Sequence, residues 1–125
     1  LASIIEKETG AAFERPIISS VFHNRLKMKM RLESDPTVIY GIKNFDGNLT
    51  RKHLSTHTPY NTYKIKGLPA GPIANPGRAS LEAALYPERS AFFYFVSKKD
   101  NTHYFSTNLK EHNQAVRKYQ LRRKK

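Results

Sequence analysis

The chain begins with the stretch LASIIEKETG, residues 1–10, and this stretch decides how the rest can pack. Successive residues in a helix are about 100° apart, so four apolar side chains fall on one stripe: Leu1, Ile4, Ile5 and Ala12. Glu8 lies within that stripe, whereas Glu6 lies on the opposite side. Thr9 and Gly10 are typical of a helix end. We therefore expect a short first helix with one carboxylate facing the interior and another facing water.

Glu8 is the candidate catalytic residue of this stretch. An anionic carboxylate among apolar side chains is costly, so burial raises its pKa and the group can hold a proton near neutrality. A general acid needs a proton held in that range. The structural alternative is a glutamate at the edge of an amphipathic helix that forms an ion pair with a nearby Lys or Arg. The stretch by itself leaves both interpretations open.

Composition favours one basic domain. The sequence has 125 residues, no cysteine and a net charge of +12, which indicates an anionic partner and excludes disulfide or thiol chemistry. Half of the excess charge falls in the terminal segment Arg117–Lys125, a pattern more typical of a solvated tail than of a binding site. No apolar run reaches the roughly 18 residues of a membrane span. The chain opens on an apolar helix without Met, so we expect a fragment of a longer protein, with any anchor upstream.

Downstream patterns predict an α+β fold with several short helices around a small antiparallel sheet. The predicted helices cover residues 16–27, 38–41, 79–85 and 109–121, with caps expected at Ser34-Asp35 and at Thr107 or Asn108. Aromatic and β-branched runs at 92–96 and 102–106, separated by a turn, predict a C-terminal hairpin. Between Lys27 and Arg31, basic residues alternate with methionines, which suits a short strand or a loop.

Two other segments have features associated with ligand binding. His53 and His57 have the i, i+4 spacing of paired metal ligands, but no Glu follows His53 and Pro59 interrupts the segment, so we expect no metal and no cofactor. The loop 67–77 is rich in Pro and Gly yet contains the apolar residues Leu68 and Ile73. These anchors favour an ordered functional loop over a flexible linker, and no nucleotide-binding glycine pattern is present.

The order of several motifs closely resembles the catalytic domain of the endolytic murein (peptidoglycan) transglycosylases, the YceG-like family. The similar segments span nearly the whole chain: 2–9 (ASIIEKET), 21–26 (VFHNRL), 30–41 (MRLESDPTVIYG), 60–63 (YNTY), 67–77 (GLPAGPIANPG), 94–96 (YFV) and 105–108 (FSTN). One departure is Ala70, where many relatives have a second proline. The family's membrane anchor and its upstream, LysM-like part have no counterpart in residues 1–125.

The resemblance implies that Glu8 is the catalytic acid. Enzymes of the family are lyases that use one carboxylate to cleave the bond between N-acetylmuramic acid and N-acetylglucosamine, leaving a 1,6-anhydromuramic end. The same group acts first as acid and then as base, so the second carboxylate of ordinary glycosidases is not required. Asp35 is expected to act as an N-cap. The alternative within the enzyme class is a hydrolase with Glu8 as acid and Asp35 as base.

The candidate substrate-binding residues are polar or aromatic side chains within the similar motifs: Tyr60, Asn61, Thr62 and Tyr63, and also Asn24, Thr37 and Tyr40, which are expected either to orient Glu8 or to bind sugar. Aromatic faces pack on sugar rings and amides bond N-acetyl groups, although tyrosines in such a motif can equally serve core and turn packing. We expect the loop 67–77 to form one wall of the cleft.

The resemblance also implies partners and a location. The expected partners are peptidoglycan glycan strands and the wall-synthesis machinery, on the extracytoplasmic side of the bacterial inner membrane. Two non-enzymatic alternatives remain open, a wall-glycan binding module and a basic nucleic-acid-binding domain. Nucleic acid is disfavoured because the aromatic run 92–95 contains no Lys or Arg and the basic residues gather in the tail.

Overall fold

The structure, a computed structural model, describes residues 1–121. The last four residues of the predicted basic tail, 122–125, therefore lie outside the described part. The elements follow one another as α1 (Ala2–Glu8), a 3-10 turn (Ala12–Glu14), α2 (Arg15–Lys27), α3 (Asp35–Tyr40), α4 (Arg51–Ser55), α5 (Arg78–Leu85), β1 (Tyr94–Ser97), β2 (His103–Ser106), α6 (Leu109–Val116) and a π-helical turn (Arg117–Leu121). This arrangement confirms the predicted α+β class.

The core forms where α1 crosses α2 and α5. Ile4 and Ile5 are fully buried there, beside Ile18 and Phe22 of α2 and Ala83 of α5. Full burial of an isoleucine or phenylalanine side chain contributes about 2 kcal/mol relative to leaving it in water. The predicted stripe of α1 is thus correct over its first turns. Ala12 does not continue it, because the helix ends at Glu8 and Ala12 is exposed in the following 3-10 turn.

The sheet is a two-stranded antiparallel hairpin. Its register places Tyr94 opposite Ser106 and Ser97 opposite His103. The ring of Phe95 meets Phe22 of α2 edge-on, with centroids 5.8 Å apart, and this contact docks the hairpin on the helical core. The hairpin was predicted, and each observed strand is slightly shorter than its predicted run.

Several predicted helix boundaries shift by a few residues. The third α-helix begins at Asp35, inside the expected cap, with Ser34 as N-cap. Asn108 caps α6 through a hydrogen bond from the backbone N–H of Glu111, and α6 then passes into the π-helical turn at Arg117. The segment between α2 and α3 is a loop rather than a strand, with Lys29 at a positive φ of 60°. Within residues 1–121, no helix combines the length and apolar character needed to cross a membrane.

The histidine pair singled out from the sequence lies at a short helix, where the ring of His53 takes part in capping. His53 lies in α4, a helix that sequence reasoning missed, and its ring accepts a hydrogen bond from the backbone N–H of Thr50 at 3.0 Å. The Thr50 hydroxyl in turn accepts from the backbone N–H of His53, which completes a capping box. In the described part of the chain, no group of three or more His, Cys, Asp or Glu side chains is placed to share a metal ion.

Candidate active site

A cleft of about 660 Å³ opens between the end of α1, the loop before α3 and the hairpin. Its lining includes Glu8, Asp35 and Tyr63 together with residues of the first strand and Leu109 and His112 of α6. The cleft thus combines carboxylates with aromatic and other polar side chains. Of the residues predicted from the sequence, it brings together Glu8, Tyr63 and Asp35, the base of the hydrolase alternative.

Glu8 is the last residue of α1 and is only partly exposed to solvent. Burial, with a smaller contribution from the charge of Asp35, raises the pKa of Glu8 to about 7 against the opposing effect of one hydrogen bond. That bond comes from the hydroxyl of Ser34, whose Oγ donates to Oε2 of Glu8 at 2.6 Å. Glu8 therefore has the proton affinity that a general acid needs near neutral pH.

A buried network of hydroxyls holds Ser34 against Glu8. The backbone N–H of Ser34 donates to Thr62 Oγ1 at 2.8 Å, and Thr37 Oγ1 donates to the carbonyl of Ser34 at 2.7 Å. The hydroxyls of Thr37 and Thr62 are themselves 2.8 Å apart and hydrogen-bonded. Both threonines are fully buried. The structure thus places Thr37 and Thr62 behind the cleft, where they fix Ser34 rather than face a ligand.

Asp35 and Tyr63 form a second pair in the same wall. The phenol of Tyr63 donates to Oδ1 of Asp35 at 2.7 Å. Burial and this carboxylate raise the pKa of Tyr63 above its ordinary value, so the phenol remains a hydrogen-bond donor. The N-cap role expected for Asp35 is wrong: Asp35 is the first residue within α3, and its carboxylate is used by Tyr63.

The side chains of Asn24 and Asn61 form hydrogen bonds to the backbone within the fold. The Asn61 amide donates to the carbonyls of Leu54 and Thr56 at 3.0 and 2.7 Å, and its side-chain oxygen accepts from the backbone N–H of Tyr63. The Asn24 amide donates to the carbonyls of Ser90 and Phe92, at 3.0 and 2.9 Å. These donors are therefore already satisfied within the fold, and neither residue lines the cleft.

Tyr40 and Tyr60 lie apart from Glu8. Their rings meet edge-on with centroids 4.7 Å apart, and neither residue is part of the cleft lining. Tyr60 packs against the hydrophobic core, whereas Tyr40 is 51% exposed. Core packing, one of the two interpretations left open by the sequence, thus describes Tyr60.

The loop 67–77 borders a different hollow. Ile73 is buried, and its backbone N–H donates to Ser3 Oγ of α1 at 3.0 Å, so the loop is anchored to the core as predicted. Leu68 and Pro72 line a second, smaller groove of about 340 Å³ together with the start of α1. The expectation that the loop forms a wall of the catalytic cleft is wrong, because none of its residues lines the cleft that contains Glu8.

Glu6 is not a free surface carboxylate, as the sequence had indicated. Its Oε1 accepts hydrogen bonds from the backbone N–H of Gly77 at 3.0 Å and from the hydroxyl of Ser80 at 2.8 Å. These two donors lower the pKa of Glu6 below its ordinary value. Glu6 therefore ties α1 to the start of α5 and takes no part in the cleft.

Two charged residues of the cleft region were missed. Arg25, at 7% exposure, lines the cleft and donates from Nε to the carbonyl of Phe93 at 2.7 Å and from Nη1 to that of Arg31 at 2.6 Å. Glu14 is 3% exposed and pairs with His103, a residue of the cleft lining. Glu14 lies just before the predicted helix 16–27, and no local pattern distinguishes it from a surface glutamate.

Comparison with known proteins identifies the family of the chain. A family model described as the YceG-like family matches residues 1–118, so the chain belongs to the YceG-like family. The resemblance inferred from the motifs is thereby confirmed.

The relatives carry a consistent name. A Bacillus subtilis (strain 168) protein named endolytic murein transglycosylase is 47% identical over 119 residues, which cover 95% of this chain and 33% of the relative. A Streptococcus pneumoniae (strain D39) protein of the same name is 30% identical, covering 93% of this chain and 22% of the relative. A crystal structure of a YceG-like protein from Listeria monocytogenes matches with a TM-score of 0.82 and 51% identity, over 90% of this chain and 36% of that one. The chain thus spans about a third or less of these curated relatives.

Proposed function

We propose that this domain is the catalytic part of a peptidoglycan lytic transglycosylase and that Glu8 is its catalytic acid. The observation that carries the proposal is a partly buried carboxylic acid with a pKa of about 7, placed by Ser34 in the wall of a cleft. The names of the relatives, endolytic murein transglycosylase, supply the substrate class.

Glu8 acts twice in the proposed reaction. Its proton goes to the oxygen that links N-acetylmuramic acid to N-acetylglucosamine, and the bond between that oxygen and the muramoyl anomeric carbon breaks. The resulting carboxylate takes the proton of the muramoyl C6 hydroxyl, whose oxygen bonds to the anomeric carbon and closes the 1,6-anhydro ring. Glu8 is protonated again at the end, so no water is consumed and no second proton-transfer group is needed.

The neighbouring residues have supporting roles in this mechanism. The carboxylate of Asp35 adds to the effect of burial in favouring the protonated form of Glu8, and it offers a negative charge near the positive charge that develops on the anomeric carbon. Tyr63 is the substrate-binding candidate that lines the cleft, where its ring offers a face for a sugar. Thr37 and Thr62 act through Ser34, and Asn24 and Asn61 support the backbone around the cleft.

The wider role follows from the family resemblance. The full-length enzyme would be anchored in the cytoplasmic membrane with this domain outside, cut nascent glycan strands beside the wall-synthesis machinery, and so terminate their elongation. The basic surface would concentrate the enzyme on wall polymers, which carry carboxylates and phosphates.

A hydrolase is the second candidate, because one observation favours it. Asp35 lies in the same cleft as Glu8 and is fixed by Tyr63, as a base that activates water would need to be. The two reactions differ in their product, since hydrolysis leaves a reducing end and the lyase reaction leaves an anhydro end.

Mass spectrometry of peptidoglycan digested by the full-length enzyme tests both candidates. We expect anhydromuramic ends from the wild type and from Glu6→Gln, a matched control on the same helix, and none from Glu8→Gln. Reducing ends would overturn the lyase mechanism and make Asp35 the suspected base. If the wild type bound glycan but did not cleave it, the domain would be a wall-binding module and not an enzyme.

A further inference from the structure

Glu14 and His103 form a pair that the proposed mechanism does not use. Glu14 ends the 3-10 turn after α1, and His103 begins β2. Oε2 of Glu14 accepts from the backbone N–H of His103 at 2.8 Å, and Oε1 lies 2.8 Å from the ring nitrogen Nδ1. One buried carboxylate therefore holds both the backbone and the ring of a single histidine.

This pairing fixes the imidazole. A carboxylate oxygen can only accept, so the hydrogen lies on Nδ1 and Nε2 is the polar atom that remains. The ring also meets Phe95 edge-on, with centroids 5.3 Å apart. Its Nδ1 edge is turned towards Glu14, so the Nε2 edge faces away from Glu14, and His103 is one of the residues that line the cleft. Among residues 1–121, Nε2 has no hydrogen-bond partner.

A purely structural role explains these contacts poorly. Burying a carboxylate with a histidine is costly, and apolar side chains of similar size would join the 3-10 turn to the hairpin at least as well. The His103 side chain is still 10% exposed, and it stands in the wall of the cleft that contains Glu8. An oriented polar atom at a cleft wall matches a ligand-binding role.

We propose that His103 binds a ring hydroxyl of the glycan through Nε2 and that Glu14 is a positioning residue acting through His103. The inference rests on the proposed function for its substrate class. A hydroxyl both donates and accepts, so it can bond to Nε2 whether the ring is neutral or protonated, whereas a carbonyl requires the protonated ring.

Binding measured without catalysis tests the proposal. The protein is the full-length enzyme carrying Glu8→Gln, and the probe is glycan strands freed of their stem peptides by an amidase, titrated by calorimetry. His103→Asn places an amide near the Nδ1 position, which preserves the bond to Glu14, but has no atom at Nε2. We expect roughly fivefold weaker binding, the loss of one hydrogen bond. Unchanged affinity would overturn the proposal.

Two matched variants sharpen the result. His103→Gln places its amide near the Nε2 position, so it should bind the probe better than His103→Asn does. His23→Gln is the control outside the cleft, because the Nε2 of His23 is used by the carbonyl of Ala84 at 2.8 Å, and its affinity should not change. An equal loss in the Asn and Gln variants would contradict binding through Nε2.

The role of Glu14 is tested by a double-mutant cycle. Glu14→Gln alone should weaken binding by about twofold, because the ring is less well oriented. Since Glu14 acts only through His103, adding Glu14→Gln to His103→Asn should cause no further loss of affinity. Additive losses would show that Glu14 acts by another route and would overturn its assignment.

Nitrogen NMR of the His103 ring keeps the proposal testable if a variant fails to fold. In the Glu8→Gln protein, with His103 intact, we expect the signature of hydrogen on Nδ1 and a shift of the Nε2 resonance when the glycan probe is added. An Nε2 signal that does not move would overturn the proposal. If the wild type cleaves nothing but the shift is present, the proposed catalysis fails while the binding role of His103 stands.

Discussion

The two glutamates on opposite sides of α1 have pKa values shifted in opposite directions. Glu6 faces α5, where a backbone N–H and a hydroxyl donate to it, and these bonds lower its pKa. Glu8 faces the cleft, where burial raises its pKa to about 7 despite the hydrogen bond that the Ser34 hydroxyl donates to it. The same residue type on the same short helix is thus an anchor on one side and a candidate acid on the other. Burial and the number of donors decide between these roles, not the sequence position alone.

The largest expected difference between the two sides is catalytic. Glu8→Gln should lower kcat by about 10²–10⁴-fold, the usual contribution of general acid catalysis, because the amide cannot give up a proton. Glu6→Gln should leave kcat near the wild-type value. The measurement is the rate at which soluble fragments are released from purified peptidoglycan. Comparable losses of kcat in the two variants would contradict the assignment of Glu8 as the acid and Glu6 as an anchor.

The second difference concerns pH. Because Glu8 must be protonated, kcat/KM should fall about tenfold per pH unit above about pH 7. Ser34→Ala removes the hydrogen bond that favours the ionised form, so the pKa of Glu8 should rise and this decline should begin at higher pH.

Ser80→Ala is the matched control, because Ser80 donates to Glu6 instead. The pH profile of this variant should coincide with that of the wild type. If the pH profile shifted in Ser80→Ala but not in Ser34→Ala, the group that titrates would be Glu6 rather than Glu8.

The third difference is one of stability. The pKa of Glu8 rises from 4.5 to about 7 on folding, so the folded state binds more protons than the unfolded state between these values. Stability therefore falls as pH rises through this window, and the cost is complete above it. Glu8→Gln avoids that cost and should be more stable than the wild type by roughly 2 kcal/mol at about pH 8.

Urea denaturation of residues 1–125 measures this gain. The two proteins should converge below about pH 4.5, where Glu8 is protonated in both the folded and the unfolded state. A stabilisation that did not change with pH would point to a packing effect of the glutamine rather than to the burial of a charge.

The sequence predicts those elements whose apolar residues recur at a regular spacing. The spacing of apolar residues located α2 and α5 within a residue of their observed ends, and the aromatic runs located the hairpin. The stripe of α1 also distinguished Glu8 from Glu6, because the side of a helix on which a residue lies follows from its spacing. Ala12 marks the limit, since the helix ends before it.

The sequence does not predict polar contacts between distant segments. Glu6 meets Ser80 across 74 positions, and Glu14 meets His103 across 89. Thr62 bonds to Ser34 across 28 positions, so Thr62, expected to bind substrate, and Thr37, expected to bind substrate or orient Glu8, lie in one network around Ser34. Such contacts have no period and depend on how the elements pack.

The smallest expected effect, and the one that completes the comparison, is the loss of the Glu6 anchor. Its lowered pKa means that its bonds stabilise the fold above pH 4.5 and are lost as the carboxylate becomes protonated in acid, the reverse of Glu8. Glu6→Ala should therefore lower the melting temperature of residues 1–125 at neutral pH, by less than Glu8→Gln raises it at alkaline pH, because Glu6 lies at the surface where water weakens its bonds. Glu82→Ala, which removes an exposed ion pair with Arg78, is the control and should change little. If Glu6→Ala were as harmful in acid as at neutral pH, its role would be packing rather than charge.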